Sequence, residues 1–383
     1  MNWDIGPRCI DVSVDGVQNY TFAFMVPATP SQRVTAIATA LLAVIGVGVA
    51  MHELSGILIP FILAGFLSIL YKPLVHFLRS KHIPMAITLL IVLGITAGAL
   101  WGVYMIVAVG IDSFTDKQDF YTVQLKHVLT NFESTLGSVL RGMGQRGTFR
   151  FEKLITAESV TGIATAQVYT LLSLLSDGVM VLLYLVFMLS AGDVFPLKIK
   201  AAFPGEGESP ALVMFQTLNS RVRKYLQVKT LFNVVNGLVT WGILELFGVD
   251  FAPLIGLLTF LFHYIPNIGS VISTGIPGLV YLLQTNDLKE VAILMLILVI
   301  VQNVIGNVIE PKVMGDTLEL SPVVVLFSLI FWGWMWGVVG MILSIPIMSV
   351  VKALLESVPA TRPIAILMGS SSSAQTPDEA AAK

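Results

Sequence analysis

The sequence predicts an all-α polytopic membrane protein, with six full transmembrane helices plus two re-entrant helical hairpins related by an inverted repeat. Three observations carry that expectation. Of 383 residues, 55% are hydrophobic and only 12% charged, where soluble domains carry about 25% charged residues. With a mean hydropathy of +0.84, no soluble core absorbs this much apolar surface, and the lipid bilayer is the expected solvent. Charges also punctuate apolar runs long enough to cross a hydrocarbon core of ~30 Å at ~1.5 Å per residue. Finally, two charge-free runs, 251–286 and 320–351, are too long for one crossing and short for two, and each is interrupted midway.

Residues 1–33 read as a disordered extension. Asp4, Arg8, Asp11 and Asp15 leave no apolar segment for a signal peptide, and Met25 is an alternative start. Residues 34–110 hold three spans, near 34–51, 54–72 and 83–110. The third contains Gly94, Gly98 and Gly102 at four-residue spacing, which would let a neighbouring helix approach closely. Residues 111–165 change character: stretches such as "TVQLKHVLTNFESTLGSVL" mix both charge signs and read as an amphipathic helical insert. A fourth span, 166–191, carries Asp177. The basic segment 192–229 holds Lys198, Lys200, Arg221, Arg223, Lys224 and Lys229. A core at 230–352 contains the fifth and sixth spans, 230–249 and 289–309, and both hairpins. The polar tail at 353–383 ends in "GSSSSAQTPDEAAAK" and reads as disordered.

Lys and Arg set orientation. Short basic loops fall at 72–81, at 198–229 and after Lys352, whereas the alternate loops near 52–53, 250 and 287–290 hold Lys289 alone. Both termini are therefore expected on the cytoplasmic side of an inner membrane, with the 111–165 insert outside.

The two long runs resemble each other. Sliding one by 69 positions brings Pro253 onto Pro322, Pro277 onto Pro346, Leu257 onto Leu326, Thr259 onto Ser328, Phe262 onto Phe331 and Ile276 onto Ile345. Proline and glycine relax or interrupt a helix. The expected breaks are Pro266, Gly269 and Pro277 in the first run. Gly337, Gly340 and Pro346 serve the second, with Pro311, Gly315 and Pro322 in the connection before it. Two such units, one starting inside and one outside, make the inverted repeat of a secondary transporter. Glu310–Pro311 is expected to end the second unit's first helix. Irregular backbone at depth survives only where protein or water satisfies it, so these breaks should line a cavity.

Polar groups in lipid are costly and mark function or helix–helix hydrogen bonding. Asn233, Asn236 and Thr240 share one face of the fifth span, and Gln302, Asn303 and Asn307 decorate the sixth. They are the candidate substrate pathway, with hydrogen bonding between helices as the alternative. Asp177 and Glu310 are the candidate ion-coupling residues, because a carboxyl at depth can exchange a proton or cation. A helix-end cap or an ion pair with Lys312 is the alternative for Glu310. His263 reads as a hydrogen-bonded structural residue. Trp332, Trp334 and Trp336 line a pathway, anchor at the interface or make a subunit contact.

Several functions are excluded. Net charge is −2, which implies no nucleic-acid partner. Cys9 is the single cysteine, and "HELSG" at 52–56 lacks the second histidine of a zinc-protease helix, so no metal site or cofactor is expected. No G-x-x-x-x-G-K-[ST] loop occurs, so energy must come from ion or substrate gradients. "GxSxG" is absent, which leaves no serine-hydrolase motif and no enzyme expectation.

"IPNIG" (265–269), "IEPKVMG" (309–315), "L-x-P" (320–322) and "GMILSIPI" (340–347) together resemble the autoinducer-2 exporter family of bacterial membrane proteins. The resemblance covers about 230–368, and 34–110 share the layout only. Glu319 stands where the family usually has glycine and Asn267 where it often has an aromatic residue. The resemblance implies a carrier for a small-molecule substrate. It would be an exporter of the furanone-type signal autoinducer-2, used in quorum sensing, or a sodium/proton antiporter. A channel or a non-transporting scaffold is the remaining class. Lipid, the substrate and a coupling ion, proton or sodium, are the expected partners, and glycine-rich faces suit a homo-oligomer.

Overall fold

A computed structural model describes residues 30–142, 178–192, 194–202, 210–266, 268–314, 320–358 and 360–369. Asp177, Gly315, Asn267 and Glu319 lie outside the described residues, as do 143–177 of the insert and fourth span, most of the N-terminal segment and 370–383 of the C-terminal one. Every regular element among the described residues is helical. The chain divides at Ser55. The first unit holds helix α1 (Pro30–Glu53), which contains the first expected span.

In the second unit, α2 (Ser55–Ser80) and α3 (Met85–Asp116) cover the next two expected spans. A four-residue turn separates them, with His82 in the left-handed region (φ 63°) and Pro84 before α3. At 32 residues, α3 is roughly 48 Å long and outruns a hydrocarbon core of ~30 Å. Its excess is the end that carries Asp112 and Asp116. There α4 (Gln118–Gly142) begins, the amphipathic start of the insert. Helix α5 (Gly178–Ala191) packs Val181, Leu185 and Leu189 against Ala64 of α2 and Val92 of α3. The Gly94–Gly98–Gly102 ladder is not part of this packing: a Cβ at any of the three would meet nothing within 4 Å. Close approach falls instead at Gly110, against Leu254, and at Gly178, against Leu100.

After the short α6 (Phe195–Ala202), the basic segment and the fifth expected span merge into one 37-residue helix, α7 (Pro210–Leu246). The first long run then folds as α8 (Ala252–Phe262) and α9 (Ile268–Thr285). Asp250 N donates to Gln284 Oε1 (3.0 Å) and Gln284 Nε2 to Gly248 O (2.7 Å), so the pair starts and ends at one level. The run is therefore a helical hairpin, its break lying between Phe262 and Ile268. Pro277 does not break it and lies buried within α9.

Helix α10 (Leu288–Asn303) continues through a π-helical segment, Val304–Ile309, into α11 (Glu310–Met314). The expected stop at Glu310–Pro311 is thus absent. Pro311 cannot donate to the carbonyl four residues back. A widened turn takes up that defect, with Glu310 N donating to Ile305 O, and the helix runs on to Met314. The second long run is α12 (Pro322–Ser357), kinked at Trp336 (φ −131°, ψ 17°) and Gly337 (φ 62°, ψ −143°). Its arms touch where Ser328 Oγ donates to Ser344 O at 3.1 Å. Pro322 opens α12, and Pro346 sits inside the second arm without interrupting it. Helix α13 (Arg362–Leu367) returns to the start of α12, where Ser321 N donates to Met368 O (2.9 Å).

By length and composition, five described helices are able to cross a membrane: α2, α3, α9, the continuous 288–314 and α12. Joining α5 with α6 makes six. The membership differs from the expected six because α7, studded with Lys229, Asn233, Asn236 and Glu245, is too polar to qualify and α1 contributes only the shorter apolar stretch Leu41–Glu53, while one arm of the first hairpin and the whole of α12 are apolar enough.

Candidate functional site

Four helices build the site. Helix α7 rises to Asp250, α8 returns, α9 rises again and α10 descends. At the Asp250 end, Leu244, Val249, Ala252, Ile255, Tyr281, Val291, Leu294 and Leu298 form one apolar cluster. Further along the same helix faces, each inward stripe turns polar. Thr240 and Asn236 follow Leu244 on α7, and Thr259 follows Ile255 on α8. Thr274 and Ser273 lie before Tyr281 on α9, and Gln302 follows Leu298 on α10. All six side chains are buried. The offsets of four to eight residues place this polar layer about 6–12 Å from the apolar cluster.

Backbones come very close here. A Cβ at Gly237 would lie 2.8 Å from Gly256 O, and one at Gly256 would lie 2.7 Å from Trp241 Cβ. This contact of α7 with α8 seals the polar stripe of α7 inside the protein. Asn233 closes the hairpin turn. With its amide oriented to satisfy both atoms, its oxygen accepts from Tyr264 N (3.2 Å) and its nitrogen donates to Lys229 O (3.2 Å). Tyr264 Oη donates to Thr230 Oγ1 at 2.8 Å. His263 Nδ1 lies 2.9 Å from Thr259 O, the hydrogen-bonded structural place expected of it.

The polar layer is incompletely satisfied. Thr274 Oγ1 donates to Gln302 Oε1 (3.0 Å), but Gln302 Nε2 has no partner. Neither Asn236 Nδ2 nor Asn236 Oδ1 has one, and neither has Thr259 Oγ1. An unmet buried polar group costs roughly 1–3 kcal/mol. Four such atoms lie on three neighbouring helices of this layer. Those atoms offer donors and acceptors together and no charge.

At the far end of the layer stands a charge pair. Lys229 Nζ donates to Glu310 Oε1 at 2.7 Å, with the two side chains 14% and 10% exposed. Lys312, the partner named in the alternative reading of Glu310, is exposed instead. Two residues apart on one helix, Glu310 and Lys312 point about 200° apart, so the carboxylate that faces α7 leaves Lys312 facing out. The pair joins the start of the first long unit to the end of the second unit's first helix, so α7 and 288–314 run antiparallel.

The structure separates the expected residues of the sixth span. Gln302 is buried, but Asn303 and Asn307 are exposed and bonded to each other, Asn307 Nδ2 donating to Asn303 Oδ1 at 2.7 Å. Neighbouring positions on a helix point about 100° apart, so Gln302 and Asn303 never shared a face. Sequence reasoning missed Thr259, Thr274, Tyr225 and Lys229 as site members. A signal existed for the last two, which precede Asn233 by eight and four residues on one helix stripe.

Both hairpin turns carry a glycine under pressure. A Cβ at Gly269 would overlap the Phe262 carbonyl oxygen and lie 2.6 Å from its carbon. One at Gly340 would overlap the Trp332 carbonyl oxygen, again with the carbon at 2.6 Å. The glycine follows its carbonyl by seven residues in the first turn (262 to 269) and eight in the second (332 to 340). In the second turn Trp332 and Trp336 are buried, their rings 4.8 Å apart, whereas Trp334 is exposed.

The sequence pattern of the AI-2E family transporter matches residues 37–360. The chain belongs to the AI-2E transporter family. Among its relatives, "Putative transport protein YhhT" of Escherichia coli (strain K12) is 31% identical over 321 residues, 83% of this chain and 90% of the relative. "AI-2 transport protein TqsA" of the same organism is 32% identical over 314 residues, 82% and 89% of the two chains. A "Putative transport protein" of Borreliella burgdorferi is 34% identical over 197 residues, about half of each chain. The AI-2E match and the apolar helices make this a multi-pass membrane protein of a transport family.

Proposed function

We propose that this protein is a secondary carrier that exports a small, neutral, polar metabolite, autoinducer-2 being the first candidate, without ATP hydrolysis. The carrying observation is the buried layer on α7–α10, where Asn236, Thr259 and Gln302 hold unmet donors and acceptors. A polyhydroxylated molecule would complete those bonds, whereas an apolar one would leave them unmet. The printed name of TqsA supports autoinducer-2 as the candidate. In this reading the two hairpins re-enter the inner membrane, both termini are cytoplasmic and the Asp250 end faces outward. Lys117 at the start of the insert pairs with Asp250 (2.6 Å), which supports one side for two segments that the charge rule assigns outside.

The test is reconstitution in vesicles with labelled autoinducer-2. Saturable exchange at equal pH, lost in Asn236→Leu protein of normal abundance, is the expected result. Absence of any saturable exchange refutes the substrate. A second reading, sodium/proton antiport, is favoured by one observation, the Lys229–Glu310 pair at a helix irregularity. Sodium-driven proton movement without autoinducer-2 exchange would select it.

A further inference from the structure

Three groups meet where α7 passes α11: Lys229, Glu310 and Tyr225. Tyr225 lies one helical turn before Lys229 on the same face of α7, where i and i+4 side chains are neighbours. It is 4% exposed and its hydroxyl has no hydrogen-bond partner. Its ring packs in a cluster with Met314, four residues beyond Glu310. The buried ammonium of Lys229 thus has one acceptor it uses, Glu310 Oε1, and an unused one a turn away.

We infer that Lys229 is a two-position switch: a proton that binds Glu310 displaces the ammonium of Lys229 onto the hydroxyl oxygen of Tyr225. This deepens the carrier reading by naming its coupling step, and rests on that reading only for its link to flux. The balance is simple. A proton from water adds to a carboxylate oxygen of Glu310, the Nζ–H···Oε1 bond breaks, and Lys229 keeps its charge and donates to Tyr225 Oη. Release of the proton to water restores the pair. Without the second seat, protonation would strand a buried ammonium, the costly outcome for a broken buried pair.

The pair is wired to the first hairpin. Lys229 O accepts from Asn233, whose other amide atom holds Tyr264 N, and the adjacent Thr230 holds Tyr264 Oη. A shift of the Lys229 turn is therefore felt at the hairpin break. Other groups stand near the pair and Tyr225. From the hairpin turn come Tyr264 and His263. From α2 the apolar Phe66, Ile69 and Leu70 pack against the Tyr225 cluster, with the half-buried Lys72 two residues beyond Leu70. From α12 come Ile345 and Val350, while Lys352 of that helix is 3.5 Å from its own Glu356. Lys312 on the same segment is exposed.

Infrared difference titration of the whole protein in lipid tests the switch without any substrate. The protonated-carboxyl band that Glu310→Gln removes should appear on acidification. In Tyr225→Phe it should appear only at about tenfold higher proton concentration, because the displaced ammonium has lost its seat. In Lys229→Met it should appear at lower proton concentration, because the carboxylate has lost its cation. A Tyr225→Phe titration identical to that of the parent overturns the inference, and so does a carboxyl band that Glu310→Gln leaves unchanged. Equal-pH exchange, measured alongside, keeps the outcomes apart. Exchange without the band shifts removes the switch alone, and band shifts without exchange remove the substrate reading alone.

Discussion

Gly269→Ala should destabilise this protein severely, and Gly275→Ala, six residues along the same helix, should not. The structure fixes the contrast. An added Cβ at 269 would overlap the Phe262 carbonyl oxygen, with its carbon at 2.6 Å and His263 Cα at 3.1 Å. Carbon atoms rest about 3.5–4.0 Å apart, so the hairpin arms would have to part by about 1 Å. The obstructing atoms are backbone and cannot rotate aside. Overpacking costs roughly 1–3 kcal/mol even where side chains can yield, so ~3 kcal/mol or more is expected here. At 275 nothing lies within 4 Å of the added atom, and the gain in helix propensity is up to ~1 kcal/mol. At roughly 2 °C per kcal/mol for a large chain, thermal unfolding in detergent should fall by ~6 °C or more in the first variant. In the second it should rise by up to ~2 °C. Membrane insertion should be normal in both, since total hydrophobicity sets it. Equal melting of the two variants, or normal flux in Gly269→Ala at normal abundance, would refute the close hairpin turn.

Four further outcomes are expected. Asn236→Leu removes two unmet buried polar atoms, so its melting temperature should rise while exchange is lost; a loss of both would make Asn236 structural. Glu310→Gln should abolish pH-driven flux but retain equal-pH exchange in vesicles, whereas Lys312→Gln should leave both near the parent level. Asp250→Asn should loosen α4, which Asp250 holds through Lys117 (2.6 Å) and Tyr121 (2.7 Å). Lys117 is half exposed, so the loss should be ~1 kcal/mol or less and fade with salt, read as faster proteolysis of 118–142. In a Cys9→Ser background, cysteines at 250 and 287 should label from outside intact cells and one at 312 should not; external labelling at 312 would sink the assigned sidedness.

The sequence by itself determined the solvent, the helical class and the residue types of the site. Hydropathy and charge spacing do this locally: a run without charges is apolar wherever it folds, and Asn233, Asn236 and Thr240 share a face because a helix repeats every ~3.6 residues. The same periodicity, applied strictly, would have parted Gln302 from Asn303. Breaks were legible where the local cause suffices, as at Gly337, whose positive φ favours glycine. Pro277 and Pro346 misled because a proline stops a helix only if no neighbouring structure accommodates it. Pro311 misled for a related reason, since a π turn absorbs its missing donor. What only the tertiary structure decided is pairing between distant segments. Lys312 is the ion-pair partner that the sequence offers for Glu310, and it loses to the distant Lys229 because residues two apart on a helix face different ways, so a carboxylate turned toward α7 leaves Lys312 outside. The unmet atoms of Asn236, Thr259 and Gln302 are likewise visible only in the folded chain, because a polar side chain becomes a costly group only when its neighbours fail to answer it.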